Sequence, residues 1–211
     1  MSSDLIAWSN LGNSGTRTQI QKHRAKQIAS NHINTLGKRI IAFTDGSAIG
    51  NPGPCGAGTA IYWNGIKELP SVHSRPVSEL SNSYHGELQA IDLALKCIAE
   101  KTPSVQNNHI HLLTDCQSAL IAATATRVPE NYVNLTRSIN TSVATLETQN
   151  NKIKITWIAG HTDIEGNDLA DTAAKDAANE TASTPESCPI STPEIRKRIK
   201  TTSIKVATQV D

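Results

Sequence analysis

The stretch FTDGSAIGNPGPCGAG, residues 43–58, most constrains how this chain can fold. It continues an apolar run and predicts a buried strand with an acid, Asp45, at its end, then a Gly/Pro-rich turn and a second strand. A carboxylate at the mouth of an apolar strand costs free energy unless a partner compensates its charge. Where several carboxylates converge, divalent metal ions are the usual partners. Asp45 is therefore the first candidate metal ligand.

The segments after this strand predict a hairpin and a long helix. GAGTAIYWNG (56–65) and IKELPSVHSRPV (66–77) predict two strands, the second at an edge or irregular because two prolines interrupt it. Residues 81–101 predict a helix that is capped at its start by Ser81 or Ser83. Its apolar face consists of Leu88, Ile91, Leu95 and Ile98.

The second half of the chain repeats the pattern of strand, acid and helix. HIHLLTDCQSALIAATA (109–125) predicts a buried strand that Asp115 ends, followed by a helix. Residues 130–149 predict a further helix, KIKITWIAGH a strand, and EGNDLADTAAKDAAN an Ala-rich helix. The order β-β-β-α-β-α-α-β-α indicates an α/β fold with a mixed five-stranded sheet, three strands antiparallel and the others parallel, flanked by helices.

Composition divides the chain into three parts. Residues 1–36 predict a basic linker or accessory helix, because the isoleucines of this segment are too sparse to form a core face. Residues 37–180 predict a single catalytic domain, and residues 181–211 a Pro/Ser/Thr-rich linker with a basic tail. Residues 1–44 hold six Lys or Arg and one acid, whereas residues 45–180 hold nine and fifteen. The basic flanks either bind a polyanion or only maintain solubility.

Four acids occupy comparable positions in these elements. Asp45 and Asp115 end predicted strands, Glu87 lies in the first turn of the long helix, and Asp171 lies on the last helix. In mixed α/β sheets, sites form beyond the carboxyl ends of parallel strands, so we expect the four carboxylates to converge. Two Mg²⁺ ions, with Mn²⁺ as a substitute, would neutralise them and clamp a phosphodiester for attack by water. Hard oxygen ligands favour these ions over zinc.

Other sequence features predict an intracellular protein, with cytoplasm and nucleus not distinguished. The chain has no apolar run of the roughly 18 residues that a membrane span needs, and its N-terminus lacks a signal-peptide core. The spacing of its four cysteines predicts neither a disulfide framework nor a zinc site. We expect a monomer without membrane contact.

The four motifs FTDGSAIGNPGPCGAG, YHGELQAI, LLTDCQSAL and ITWIAGHTDIEGNDLADTAAKDA, in this order, resemble the type 1 ribonuclease H family over about residues 38–180. The resemblance implies a ribonuclease H-like fold and an endoribonuclease that cuts the RNA strand of RNA–DNA hybrids with two metal ions. The last motif, with the Pro-rich segment after it, looks most like the ribonuclease H region of non-LTR retrotransposon polyproteins. That likeness implies a reverse transcriptase domain as a partner in the parent polyprotein.

The resemblance also assigns roles to individual residues. Asp45, Glu87, Asp115 and Asp171 match the four metal-binding carboxylates of the family, and His161 matches its catalytic histidine on the loop before the last helix. A histidine there could shuttle protons or assist product release. The positions that match substrate-binding groups, which read ribose 2′-hydroxyls, are Gly46, Asn51, Ser83, Gln117 and Asn167.

Several acids and aromatic residues have plainer interpretations. We expect Asp92, Glu165 and Asp176 to be solvated helix charges, Trp157 to lie in the core, and Cys116 to serve packing. Two rival functions stay open: a catalytically weak hybrid-binding domain of a retroelement polyprotein, and a DNA strand transferase of the same superfold. The complete set of four carboxylates argues against the first, and the DGS and NDLAD motifs argue against the second.

Overall fold

A computed structural model describes residues 11, 14–101, 108–124, 132–184, 190 and 192–197. Its strands are β1 (Ile40–Ala48), β2 (Gly53–Tyr62), β3 (Ser71–Ser81), β4 (His109–Thr114) and β5 (Lys152–Trp157). Its longer helices are α1 (Gln19–Leu36), α2 (Ser83–Glu100), α3 (Gln117–Thr124), α4 (Val133–Thr148) and α5 (Glu165–Ser183). A short helical segment follows at residues 192–197. The rest of the predicted C-terminal linker and tail lies outside the described residues.

The five strands form one sheet in the order β3-β2-β1-β4-β5. β1 pairs antiparallel with β2, and β2 pairs antiparallel with β3. β1 also pairs parallel with β4, which pairs parallel with β5. The mixed five-stranded sheet predicted from the sequence is therefore confirmed. The proline-containing strand β3 lies at one edge, and its register shifts between Cys55 and Gly56 of its partner.

The structure corrects three expectations about the ends of elements. β1 does not end at Asp45 but continues to Ala48, because residues 45–48 keep their antiparallel pairing with β2 after the parallel pairing with β4 has stopped at Thr44. Neither Ser81 nor Ser83 caps α2: the cap is Asn82, whose side chain accepts a hydrogen bond from the backbone N–H of His85 at 3.0 Å. Since α2 begins at Ser83, Glu87 lies at the start of its second turn.

One face of the sheet is covered by α2, α3 and α4. The apolar face predicted for α2 is buried here. Its leucines and isoleucines pack with β-strand residues and with Leu135, Ile139 and Leu146 of α4. Burial of aliphatic side chains of this size stabilises the fold by about 1.5–3 kcal/mol for each residue. This packing fixes the start of α2 against the sheet, next to β1.

The opposite face is covered by α5, which approaches β2 very closely. A Cβ atom at Gly56 or Gly58 would overlap the backbone of α5. The helix presents alanines to the sheet there, so little side-chain volume separates the two elements. The buried alanines are Ala170, Ala173, Ala174, Ala177 and Ala178. The Ala-rich helix predicted after residue 165 is thus present, and it is longer than the predicted span.

Helix α1 packs against the same face as α5 and forms part of the core. Ala25, Ala29, Ile33 and Leu36 are buried in a cluster that also contains Phe43 of β1. The expectation that this segment has no core face was wrong, because it counted isoleucines, whereas two small alanines complete the buried stripe. Thr18 begins the helix with a capping box to Gln21. The division of the chain at residue 36 stays a prediction.

None of the described helices is long and apolar enough to cross a membrane.

Candidate active site

Strand register places Asp45 beside Asp115. The parallel pairing of β1 with β4 ends with Thr44 opposite Thr114. The next residue on each chain is an aspartate, so the two carboxylates leave the sheet at the same edge and level. The indole N–H of Trp157 donates a hydrogen bond to the backbone oxygen of Asp115 at 2.8 Å, which fixes the chain where it leaves β4.

Glu87 reaches the same edge because α2 and β1 meet through two glycines. A Cβ atom at Gly46 would overlap the backbone of Gly86 and Glu87, and Gly86 in turn approaches the backbone of Gly56. Any larger residue at Gly46 would force the helix away from the strand. The contact therefore determines where the Glu87 carboxylate lies relative to Asp45.

Asp171 is brought to Asp45 by the close packing of α5. Gly58 is the antiparallel partner of Asp45, and its missing Cβ leaves room for the backbone oxygen of Ala170. Asp171 is the next residue of the helix, and its carboxylate lies near enough to Asp45 to raise the pKa of that acid. The Asp171 carboxylate also accepts a hydrogen bond of 2.6 Å from Lys175, four residues later on the same helix.

The structure brings all four predicted acids together, in two tiers. Asp45, Glu87 and Asp115 each offer an oxygen atom, and these atoms lie within 4.8 Å of one another. Asp171 touches Asp45 from the solvent side, where 26% of its side chain is exposed and Lys175 pairs with it. The inner three acids are thus compensated less than the outer one.

Burial and mutual repulsion raise the pKa values of the three inner acids. The pKa of Asp45 is raised to about 8, first by burial and then by the charge of Asp115. Burial, with Asp45 and Asp115 nearby, raises the pKa of Glu87 well above its usual range. Burial also raises the pKa of Asp115, which a hydrogen bond from Asn167 and the charge of His161 partly offset. A cation that entered the cluster would favour the ionised form of these acids.

The donor set fits a hard divalent cation. Oxygen Oε2 of Glu87 is buried and has no hydrogen-bond partner, although the side chain is only 7% exposed. An acceptor left in that state costs free energy, and a metal ion is one way to satisfy it. All four predicted ligands are carboxylates, which is the chemistry that magnesium and manganese prefer.

His161 lies on the loop between β5 and α5, beside this cluster. Its backbone has φ = 55°, and its side chain is exposed. It carries a charge interaction with Asp115, and also with Asp168. The side chain is therefore near enough to the acids to affect them while it remains open to solvent.

The RNase H family model matches residues 37–179, which is more than half of the chain. The chain belongs to the RNase H family. A relative, the ribonuclease H of Shewanella loihica, is 28% identical over 149 residues, which cover 67% of this chain and 88% of that protein.

Two solved structures share the RNase H fold of this chain. RNase H1 from the archaeon Halobacterium salinarum has a TM-score of 0.52 at 22% identity, covering 67% of this chain and 98% of that one. LC11-RNase H1 in complex with RNA/DNA hybrid has a TM-score of 0.51 at 18% identity, covering 66% of this chain and 99% of that one.

Of the predicted substrate-binding residues of this RNase H chain, two lie next to the acids and three lie at the start of a helix or in a turn. Gly46 is adjacent to Asp45, and Asn167 is buried beside Asp115. Ser83 is the first residue of α2, and Gln117 is the exposed first residue of α3. Asn51 is exposed in the turn between β1 and β2. Their roles toward substrate stay predictions.

Asp92 is not the solvated charge that the sequence suggested. It is 1% exposed, and its carboxylate accepts hydrogen bonds from Arg75 at 3.2 Å, Lys96 at 2.8 Å and Ser138 at 2.7 Å. Glu165 and Asp176, which had the same interpretation, are indeed exposed. Asp92 is buried because β3, α2 and α4 all converge on it.

Three residues near the acids were missed by the sequence analysis. Lys175 pairs with Asp171, and its spacing of four residues on a helix was a signal that could have found it. Trp157 was expected in the core and is half-buried there, but its bond to Asp115 was not foreseen. Arg17 is buried and donates to the backbone oxygen of Gly160, next to His161. No local sequence pattern predicts the contact of Arg17 with Gly160, because the two residues are far apart in sequence.

Proposed function

We propose that this chain is an endoribonuclease that hydrolyses the RNA strand of RNA–DNA hybrids with two Mg²⁺ ions. The observation that carries the proposal is the group of buried Asp45 and Glu87 and half-buried Asp115, with Asp171 against it, in a chain of the RNase H family. Such a group has little structural value by itself, because its members repel one another.

The four carboxylates would hold the metal ions. When bound, two such ions activate water and stabilise the charge that develops on the phosphate during in-line attack. Asn167 hydrogen-bonds with Asp115, and Trp157 fixes the backbone of the same residue, so both keep that ligand in place. His161 lies at the solvent side, where an imidazole can take up or release a proton as product leaves.

Hybrid as the substrate is supported by the family and by a neighbouring structure. LC11-RNase H1, which shares the fold, has been solved in complex with RNA/DNA hybrid. Gly46, Asn51, Ser83, Gln117 and Asn167 are the proposed contacts to the substrate in this chain. Contacts to ribose 2′-hydroxyls would make the RNA strand the one that is cut, because these groups distinguish RNA from DNA.

The decisive experiment measures cleavage of one labelled RNA strand presented as hybrid, as double-stranded RNA and as single strand. We expect cleavage of the hybrid alone, with Mg²⁺ or Mn²⁺ and not with chelator. Asp45→Asn is the matched control for a contaminating nuclease. Binding of hybrid without cleavage would replace the proposal with a hybrid-binding domain, and joining or cutting of duplex DNA would replace it with a strand transferase.

We further propose that the chain is allied to the RNase H regions of non-LTR retrotransposon polyproteins and acts as a monomer. The sequence ITWIAGHTDIEGNDLADTAAKDA and the Pro-rich segment that follows support this origin. Sequencing of the full-length transcript tests it: a reverse transcriptase reading frame in the same transcript is expected, and its absence would contradict the origin. Light scattering of the purified protein tests the oligomeric state.

A further inference from the structure

The N-terminal segment, which lies outside the RNase H family match, packs against the loop that carries His161. The match begins at residue 37, whereas α1 and the residues before it precede that point. The buried residues of α1 belong to the same apolar cluster as Ile158, Ala159 and Ile164, which flank His161 on its loop. The loop is therefore packed on one side against an N-terminal addition to the family domain.

Arg17 makes the most specific contact between this addition and the loop. Its Nη1 donates a hydrogen bond to the backbone oxygen of Gly160 at 2.8 Å, and its Nε donates to the backbone oxygen of Leu11 at 3.2 Å. The whole residue is only 9% exposed. A buried guanidinium is costly unless its donors are satisfied, so the two carbonyls that it contacts are held firmly in return.

The contact reaches the acids through a single residue. Gly160 lies so close to Asp115 that a Cβ atom on the glycine would overlap the Asp115 carboxylate. Burial lowers the pKa of Arg17 and the charge of Asp115 opposes that change, which places the guanidinium within electrostatic reach of the cluster. Gly160 is thus bound by Arg17 through its carbonyl oxygen and also packs against the carboxylate of Asp115.

The loop needs such support because its backbone is unusual. His161 has φ = 55° and Asp163 has φ = 54°, in the left-handed region that residues other than glycine seldom adopt. Conformations of this kind persist only where the surrounding structure holds them. Lys26 of α1 also approaches Asp163, at 3.9 Å, but both side chains are well exposed and such pairs contribute little.

We propose that Arg17 is a positioning residue, which holds the loop of residues 158–164 so that His161 faces the carboxylate cluster. The N-terminal segment is then part of the catalytic unit and more than a linker. The role in positioning concerns the loop itself, and its effect on turnover rests on the function proposed above.

The test compares Arg17→Ala with Arg24→Ala, which removes the same charge from the exposed face of α1. Hydrogen exchange of the amides of residues 160–162 is measured first, because it does not depend on activity. We expect exchange in Arg17→Ala to be about tenfold faster than in wild type, and unchanged in Arg24→Ala. Equal exchange in the two variants would overturn the proposal.

Hybrid cleavage supplies the second measurement. We expect Arg17→Ala to lower kcat about tenfold with little change in KM, because it misplaces the loop but does not alter the surface that binds the substrate. In a His161→Ala background, the same substitution should lower kcat less than twofold, since the residue that it positions is already gone. An undiminished loss in that background would show that Arg17 acts elsewhere.

Arg17→Lys covers the case in which the alanine variant fails to fold. A lysine can still donate to Gly160, so exchange of residues 160–162 should stay within about threefold of wild type; exchange as fast as in fully unfolded chain would overturn the proposal. Should wild type cut no hybrid, the proposed function fails, and the exchange experiment still decides the role of Arg17.

Discussion

Helix α2 carries two buried carboxylates in opposite settings. Glu87 is 7% exposed and Asp92 is 1% exposed. The neighbours of Glu87 are Asp45 and Asp115, and one of its oxygens has no partner. Asp92 instead receives hydrogen bonds from two cations and a hydroxyl. Burial alone therefore does not mark a functional acid.

The difference lies in what compensates the charge. A buried acid that is paired with cations helps to join the elements that supply them, here β3, α2 and α4. An acid among acids costs free energy in the folded chain, so its retention makes sense only if a ligand supplies the missing positive charge. Substitutions at the two sites should thus separate stability from activity.

The largest effect is expected for Asp45→Asn. Its carboxylate touches both Glu87 and Asp171, so the change removes negative charge from the centre of the cluster. We expect hybrid cleavage to fall at least about 1,000-fold, and the metal-free protein to unfold at the same or a higher temperature. Rates are measured with Mg²⁺ at saturating hybrid, and unfolding is followed by circular dichroism. Retained activity would overturn the assignment of Asp45 as a metal ligand.

His161→Ala should have the next largest effect. The side chain lies beside the acids and is exposed, so the carboxylate cluster remains intact without it. We expect kcat to fall about 10- to 100-fold while metal affinity stays within about twofold, since a general acid or base lowers the barrier but does not hold the ions. Complete inactivation with normal metal binding would show that His161 does more than move a proton.

Asp92→Asn should have the opposite effect to Asp45→Asn: it should lower stability and leave activity nearly unchanged. The change leaves Arg75 and Lys96 without their shared anion, and we expect it to lower the free energy of unfolding by about 2 kcal/mol, because both cations can still reach water. Turnover per folded molecule should remain near that of wild type. Glu87→Gln on the same helix is the matched comparison: its stability should be unchanged or higher and its turnover lost. Equal behaviour of the two variants would refute the distinction drawn between them.

The four acids that converge could be predicted because the local sequence pattern identifies the strand or helix that carries each of them. Asp45 and Asp115 follow apolar runs, and parallel pairing then brings them to one edge whatever the remaining details. The sheet order and the Ala-rich last helix follow from the same local patterns. Glu87 was placed in the first turn of α2 because three consecutive polar residues could cap the helix, whereas the cap at Asn82 puts it at the start of the second turn.

The contacts that could not be predicted join residues far apart in sequence. Asp92 lies 17 residues from Arg75 and 46 from Ser138, so its local surroundings read as an ordinary polar helix position. Arg17 lies 143 residues from Gly160. Periodicity reports only which face of an element is apolar, and it does not report which cation meets which anion after folding.

The smallest expected effect is on how the stability of the metal-free protein depends on pH. It also contrasts the carboxylate cluster with Asp92 most directly. The folded pKa of Asp45 is about 8, above its usual value of 3.8, so the folded chain binds this proton more tightly than the unfolded chain does. Stability from this group is therefore greatest at low pH and is lost as pH rises toward 8. His85 and His111, whose pKa values are about 4, change stability mainly below pH 6.5, which leaves a window from pH 6.5 to 8.

In that window we expect the free energy of unfolding of the chelated protein to fall by on the order of 1 kcal/mol. Denaturant titrations at several pH values measure it. Excess Mg²⁺ should abolish the fall, because a bound cation replaces the protons of the cluster. Asp45→Asn should reduce the slope, because one of the acids with a raised pKa is gone, whereas Asp92→Asn should keep the slope at lower stability. A slope that disappears in Asp92→Asn and persists in Asp45→Asn would refute the assignment of this pH dependence to the carboxylate cluster.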